Sequence, residues 1–349
     1  MFTVAKVDGA LVFRDCGGYQ SRNASTMWCI AEADRQFAFG DFDDVEVWTG
    51  DVCDDGERLA YSHMGTGRNT VPDFNFKGWP EAGVEDYART CEAIAEAGGR
   101  RAKRAVAGWI GAASHPIRRT LKALEDPELL DVTLMEWKAP DGEAARLPAS
   151  RLPASTFLSL PDLVAEYEFL VDVEGSGYSG RLKFLLWSNR PVLLVDRPHR
   201  EFFSEGLEAW AHYVPVRRDL GDLTDRIRWC LSHAAEAAAI ARNARAFAEA
   251  NLSRDGCFRR WRAVLAPRSA KLLEAAVVVR VEATERCAIY YDAEDGVSAA
   301  VALGSAGPGK DLEVTAAPGH RFRAVWADRA AATAFRAPVR GGAVALRPP

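Results

Sequence analysis

Between residues 172 and 188 the chain reads DVEGSGYSGRLKFLLWS, and here residue types and spacing best suit chemistry. A strand-like run ends at Val173, Gly175, Gly177 and Gly180 allow close backbone approach, and Ser179 and Arg181 stand where a helix is expected to begin. Amides at a helix start, the helix dipole and a guanidinium would all point toward one phosphate-sized region. The spacing matches neither the P-loop nor G-x-G-x-x-G, and many glycine turns between strand and helix bind nothing, so spacing alone favours a purely structural turn. Arg181 is electrostatically misplaced for a helix start, which favours a bound anion, whereas Ser179 has the alternative of a plain N-cap worth ~1 kcal/mol.

The elements that would position this turn alternate. YEFLVDVEG is a strand, GRLKFLLWSN a helix, RPVLLVD a strand and HYVPV an apolar strand-like run, with helices over DLTDRIRWCLSH and AAEAAAIARNARAFAEANL. Short unbroken apolar strands between amphipathic helices mark a parallel sheet covered on both faces. Upstream, apolar residues from Val84 to Ala107 fall at helical spacing interrupted by Gly98 and Gly99, a second helix follows Pro116, and DVTLMEW reads as a strand. Residues 1–50 alternate short apolar runs with Asp and Gly turns, the pattern of strands rather than helices. The stretch 138–155, KAPDGEAARLPASRLPAS, has no periodicity and reads as a linker or exposed loop. A last helix from about Cys257 to Ala276 precedes short strand-like runs separated by Gly, Pro and Asp. The expected organisation is therefore an α/β domain over 1–155, a second over 156–276 and a small β-rich module over 277–349.

Composition bounds the function classes. The 349 residues suit two domains and a module, and 48% hydrophobic with 27% charged residues excludes wholesale disorder or a fibrous repeat. A net charge of −5 carries no electrostatic footprint for nucleic acid or an anionic bilayer. Seven scattered cysteines without a C-x-x-C pair read as reduced thiols, not as a zinc cluster or disulfide framework. The opening MFTVAKVDGALVFRD has no basic stretch followed by an apolar core, and no window reaches ~20 apolar residues, so a cytoplasmic location is expected.

Residues 167–223, from YEFLVDVEGSGYSGRLKFLL through REFFSEGLEAWAHYVPV, resemble glycosyltransferase family 90, which includes capsule-associated xylosyltransferases and protein O-glucosyltransferases. The resemblance continues through Ile240–Leu252 and, more thinly, upstream: VEVWTGD (45–51) is similar to the family's VINxGD, VPDFNFKGWPE (71–81) to FPDWTFWGWPE, and AGWIGAASHPIRRTLKAL (107–124) to AFWRGNTSDPRRRDLVEL. It covers roughly residues 40–265 and stops short of the terminal module. Ile110 replaces the Arg of the family's Trp-Arg-Gly motif, and the segment between Asp51 and Val71 does not register easily.

The resemblance implies a GT-B architecture of two Rossmann-like domains facing a cleft, with inverting, metal-independent transfer from a UDP-sugar donor. It implies Asp51 as catalytic base. Such chemistry needs a carboxylate to take the acceptor hydroxyl's proton and positive charge for the leaving diphosphate. Donor binding is expected from Arg118, Gly177, Ser179, Gly180, Arg181 and Glu201, the last on ribose hydroxyls, although pairing with a nearby Arg suits Glu201 equally. Without the resemblance Asp51, among Asp41, Asp43, Asp44, Asp54 and Asp55, reads as a solvated turn residue. Trp79 is a candidate for acceptor binding, against the ordinary packing role of a large aromatic, and His212 reads as a core histidine. Together these point to a glucosyl- or xylosyl-class transferase acting on a glycan or glycolipid in lipopolysaccharide or capsule assembly. Arg100, Arg101, Lys103 and Arg104 would give it a peripheral contact at the inner membrane, against the simpler reading of a solvated helix face. The rivals are a degenerate, non-catalytic nucleotide- or glycan-binding protein, motivated by Ile110, and a nicotinamide site, which the missing G-x-G-x-x-G counts against.

Overall fold

The computed structural model describes residues 1–53, 55–135, 158–274, 277–292, 301–316, 321–327, 332–336 and 342–347. In chain order come β1 (Phe2–Val7), β2 (Ala10–Asp15), α1 (Gln20–Phe37), β3 (Phe42–Trp48), β4 (Leu59–Ala60), β5 (His63–Met64), α2 (Tyr87–Gly98), β6 (Arg104–Ala112), α3 (Pro116–Ala123) and β7 (Leu130–Met135). Then follow α4 (Leu160–Glu166), β8 (Tyr167–Asp172), α5 (Leu182–Leu185), β9 (Val192–Val195), β10 (His199–Arg200), β11 (Val214–Val216), α6 (Leu223–Ser232), α7 (Ala234–Asn251) and α8 (Arg254–Glu274). Strands β12 (Val277–Ala283), β13 (Cys287–Asp292), β14 (Val301–Ala306), β15 (Leu312–Ala316), β16 (Arg321–Trp326), β17 (Ala332–Arg336) and β18 (Gly342–Leu346) complete the chain. It divides into two compact units: Met1–Phe2, Asp15–Gln36 and Glu46–Trp261 in one, Thr3–Arg14, Phe37–Val45 and Arg262–Pro349 in the other.

The first unit is built on a five-stranded sheet of order β11-β9-β8-β6-β7, parallel at every pairing. Its strands are the short apolar runs of the sequence, and Trp109, Val132, Phe169, Val171, Leu193, Val195, Val214 and Val216 form one buried cluster with Leu223 and Ile227 of α6 and Ile240 of α7. The chain lays down β6, places β7 on one side, then crosses to the other side for β8, β9 and β11. The direction of winding therefore reverses between β6 and β8, and an open parallel sheet binds its ligands outside the carboxyl ends of the strands at such a reversal. The expected boundary at 155/156 falls between β6 and β8, which are paired neighbours.

Three expected elements differ from the structure. Residues 20–37 form an 18-residue helix where strands were expected; its buried face is Asn23, Thr26, Cys29, Ile30 and Ala33, so a helical spacing is present but two of its inward positions are polar. The helix expected over 84–107 is α2 and ends at Gly98, where a Cβ would collide with the Ser188 carbonyl, and the residues from Arg104 onward enter the sheet as β6. The helix expected over 180–189 is the single turn α5. The expected linker at 138–155 lies outside the described residues.

The second unit carries strands β12 to β18. A three-stranded sheet, β15-β12-β18, and a four-stranded one, β14-β13-β16-β17, enclose Val279, Val281, Ile289, Phe322, Ala324, Trp326 and Leu346. Phe322, Ala324 and Trp326 alternate along β16, the two-residue period of a strand with one buried face.

Candidate functional site

At the carboxyl ends of β6, β7 and β8 lies a cavity of about 460 Å³. Ile110, Gly111, Ala112 and Met135 reach it from the strand ends, Ser114 and Arg118 from the loop and first turn of α3, and Gly175, Ser176 and Tyr178 to Arg181 from the glycine turn. Arg22, Asp51, Phe74, Asn75 and Trp79 line it too, and Leu158, Leu160 and Leu163 give it an apolar stretch. Six of the residues chosen from sequence are thus brought together: Asp51, Trp79, Arg118, Ser179, Gly180 and Arg181. Gly177 and Glu201 are not among the lining residues.

Two guanidiniums share one aromatic ring. Arg118 and Arg181 place their Cζ atoms 5.3 and 5.2 Å from the ring centroid of Trp109, which is buried in β6. Arg118 donates from Nε to the Glu174 carbonyl (3.0 Å) and from Nη1 to the Ala112 carbonyl (2.9 Å) and Ser114 Oγ (3.0 Å). Arg181 Nη1 donates to the Ile110 carbonyl, while its Nη2 is buried with no hydrogen-bond partner among the described residues. Burial, followed by the neighbouring charge of Arg181, pulls the Arg118 pKa down to about 10. Burial also lowers Arg181, with Asp172 opposing and Arg197 adding to the effect.

The glycine turn works differently from its expected role. Since α5 is one turn long, its dipole contributes little, and the positive field comes from side chains. Ser179 is not an N-cap: its hydroxyl donates to Asp172 Oδ1 at 2.6 Å, tying the turn back to β8, and Asp172 faces Arg197 at 2.9 Å. At Gly180 a Cβ would stand 2.9 Å from Asn75 Nδ2 and 3.5 Å from the Trp79 ring. Gly177, with φ +139°, is packed so closely that a Cβ would collide with the Asp51 carbonyl oxygen. Its place is to let the turn approach the segment that carries Asp51.

Asp51 follows β3 in the Thr49-Gly50-Asp51 turn, and Arg22 of α1 donates from Nη1 to its Oδ1 at 2.7 Å. The Arg22 guanidinium lies over Tyr19 (4.3 Å) and Phe74 (4.8 Å). Burial works against the Arg22 charge, but Tyr178 and Asp51 outweigh it and hold the guanidinium above its ordinary range. Sequence reasoning missed Arg22, Asn75 and Tyr178. Arg22 was hidden because α1 itself was not foreseen; Asn75 and Tyr178 lie inside motifs already singled out, within two and one residues of Asp73 and Ser179.

Glu201 is buried beside Lys183, 4.0 Å from its Nζ, and burial pushes the carboxyl up to about 8 with Lys183 opposing. Lys183 itself donates to Asp73 Oδ2 (2.8 Å) and to the Gly180 carbonyl (2.9 Å). His212 Nδ1 accepts from the Glu208 amide at 3.0 Å, an ordinary structural role. Of the basic cluster, Arg100 pairs with Glu96, Lys103 with Glu166 at 2.9 Å and Arg104 with Asp131. Among the described residues no three His, Cys, Asp or Glu side chains gather as a metal site, and no helix is long and apolar enough to cross a membrane.

Similarity to known proteins bears on this geometry. Protein O-glucosyltransferase 2 of Danio rerio is 36% identical over 93 residues, 27% of this chain and 19% of the relative. Protein O-glucosyltransferase 3 of Mus musculus is 29% identical over 126 residues, 36% of this chain and 24% of the relative. Uncharacterized protein 035R of Invertebrate iridescent virus 3 is 35% identical over 136 residues, 37% of this chain and 12% of the relative. The matched regions thus span less than a quarter of each of these relatives. A profile of glycosyl transferase family 90 matches residues 61–301, beginning downstream of Asp51 and reaching into β14, further than the 40–265 expected from motifs. With more than half of its length so matched, the chain belongs to glycosyl transferase family 90.

Proposed function

We propose that this transferase moves a sugar, of the glucose or xylose class, with inversion from a UDP-sugar to a hydroxyl of a glycan or glycolipid. One observation carries the reading: a single cavity holds Asp51 together with two desolvated guanidiniums, Arg118 and Arg181, one of which has an unmet donor. Two partly buried cations, one with an unspent donor, suit a diphosphate, and a half-exposed carboxylate in the same cavity suits a base. In the transfer step the acceptor oxygen forms its bond to the anomeric carbon as Asp51 takes the hydroxyl proton. The bond from that carbon to the diphosphate oxygen breaks, and its electron pair leaves with UDP, stabilised by Arg118 and Arg181. The backbone carbonyl of Ile110 fixes Arg181 over Trp109, so Arg181 supplies charge beside the position where the family motif has its own Arg.

Because two arginines supply the field, transfer without a metal is part of the proposal. So is a GT-B arrangement, for which the five-stranded parallel sheet would supply one of the two Rossmann-like layers. Glu201 is no longer offered for the ribose, since it is buried against Lys183. A cytosolic setting in lipopolysaccharide or capsule assembly is consistent with all seven cysteines being thiols. The test is calorimetry with UDP, UDP-glucose, UDP-xylose, UDP-galactose, GDP-mannose and NAD, each with and without EDTA. Selective binding of UDP compounds that survives EDTA is the expected result. Absence of UDP binding in every condition would sink the transferase mechanism and leave a family scaffold kept for another task.

A further inference from the structure

We infer that Arg22 is a positioning residue for the transfer step, holding Asp51 in the orientation from which it takes the acceptor's proton. The inference rests on the reading of Asp51 as base. It starts from α1, which brings Arg22 to the cavity wall, where the guanidinium is fixed on three sides. Its Nη1 donates to Asp51 Oδ1 at 2.7 Å and to the Thr49 carbonyl at 3.4 Å, while the rings of Tyr19 and Phe74 lie 4.3 and 4.8 Å from its Cζ. Only 19% of the Arg22 side chain is exposed, which separates the pair from a surface ion pair whose rotamers are free.

From the other side, Gly177 presses on the Asp51 backbone so tightly that no Cβ fits between them. The carboxylate is therefore held at its backbone by the donor turn and at Oδ1 by Arg22. Among the described residues Oδ2 has no hydrogen-bond donor. That oxygen is left to accept the proton as the acceptor oxygen bonds to the anomeric carbon and UDP departs. A base held in one orientation spends less of the barrier on alignment, and misplacement by an ångström costs on the order of 10²-fold in rate.

The experiment uses the full chain and hydrolysis of UDP-glucose, UDP-xylose and UDP-galactose, read as UDP release, with UDP affinity measured by calorimetry. Arg22→Ala is expected to lower kcat about 10²-fold while the donor KM and UDP affinity stay within about threefold. Arg22→Lys restores about tenfold of that loss, and guanidinium added to Arg22→Ala restores it saturably, which a merely structural defect would not allow. Asp51→Asn is measured alongside and is not rescued. An Arg22→Ala kcat within about threefold of wild type overturns the inference, as does a loss that neither lysine nor guanidinium repairs. If Asp51→Asn keeps its rate, or wild type turns over no donor, the base reading falls and the inference with it. If Asp51→Asn is inactive and Arg22→Ala is not, the positioning role alone is overturned.

Discussion

The glycine turn after β8 separates two sets of buried charges. On its inner side Asp172 receives the Ser179 hydroxyl and faces Arg197, and Asp73 receives Lys183, with every one of these side chains almost fully enclosed. On the cavity side Arg118 and Arg181 give their hydrogen bonds to the carbonyls of Glu174, Ala112 and Ile110 and to the Ser114 hydroxyl, and among the described residues no carboxylate bonds to either. The two sets are a few residues apart in sequence, since Arg181 and Lys183 flank Leu182. A buried ion pair is costly to break because the partner left behind is uncompensated, whereas a charge whose hydrogen bonds go to neutral groups and whose desolvation is offset only in part, here by Asp172, leaves room for a ligand of opposite sign. The inner set is thus read as architecture and the outer set is the one proposed above as a donor site.

Asp51→Asn tests the chemistry on the outer side and has the largest expected effect. If Asp51 is the proposed base, its loss lowers turnover roughly 10³-fold, while UDP affinity, assigned above to the arginines, changes little. Turnover assays paired with calorimetry separate the two quantities, and a variant that keeps its rate would return Asp51 to the status of a solvated turn residue. Next comes Arg181→Ala, for which UDP affinity and kcat/KM fall about 10²-fold. The thermal midpoint without ligand should hold or rise, because burial costs this charge more than Asp172 returns. A fall in midpoint without change in UDP affinity would place Arg181 with the architecture and erase the distinction.

Sequence reasoning reached the two sides unequally, for physical reasons. The sheet was readable because β9 and β11 are unbroken apolar runs and β8 carries the apolar Phe169, Leu170 and Val171, and the glycine turn was conspicuous because three glycines and an Arg follow a strand. Hydrophobic patterning sees burial only where buried residues are apolar. It missed α1, whose inward face includes Asn23 and Thr26, and with α1 it missed Arg22. Glycines are visible in sequence but their packing is not: a Cβ on Gly177 would collide with the Asp51 carbonyl oxygen, and one on Gly98, the last residue of α2, with the carbonyl of Ser188 ninety residues away. Ser179 and Glu201 have the right chemistry for a donor site, yet their partners Asp172 and Lys183 are chosen by the fold.

Lys183→Met asks whether the inner set is structural. Removing one partner leaves the Asp73 carboxylate buried and unpaired, a loss of about 3–5 kcal/mol in unfolding free energy by denaturant titration. If the single variant does not fold, the double variant with Asp73→Asn decides the point, since removing both charges should recover most of the stability. Equal destabilisation by the single and double variants would mean that packing of the lysine stem, not the ion pair, is what matters there.

Glu201 stands at the edge of the inner set, and its test is the smallest and the most specific. Burial raises its pKa from an ordinary 4.5 to about 8. The folded protein therefore holds this proton up to about pH 8, while the unfolded chain releases it above about pH 4.5. Below that lower value both states are protonated and the group favours neither; as pH rises through the window the unfolded state alone gains its preferred charge, so stability falls until the folded carboxyl also ionises. Glu201→Gln removes this dependence while keeping shape and hydrogen-bonding capacity. The variant's thermal midpoint relative to wild type should be constant below pH 4.5 and climb by at least about 2–4 °C between pH 5 and 8. A difference that stays flat across the window would mean Glu201 is ionised in the fold and fully matched by Lys183, joining it to the paired charges of the inner side.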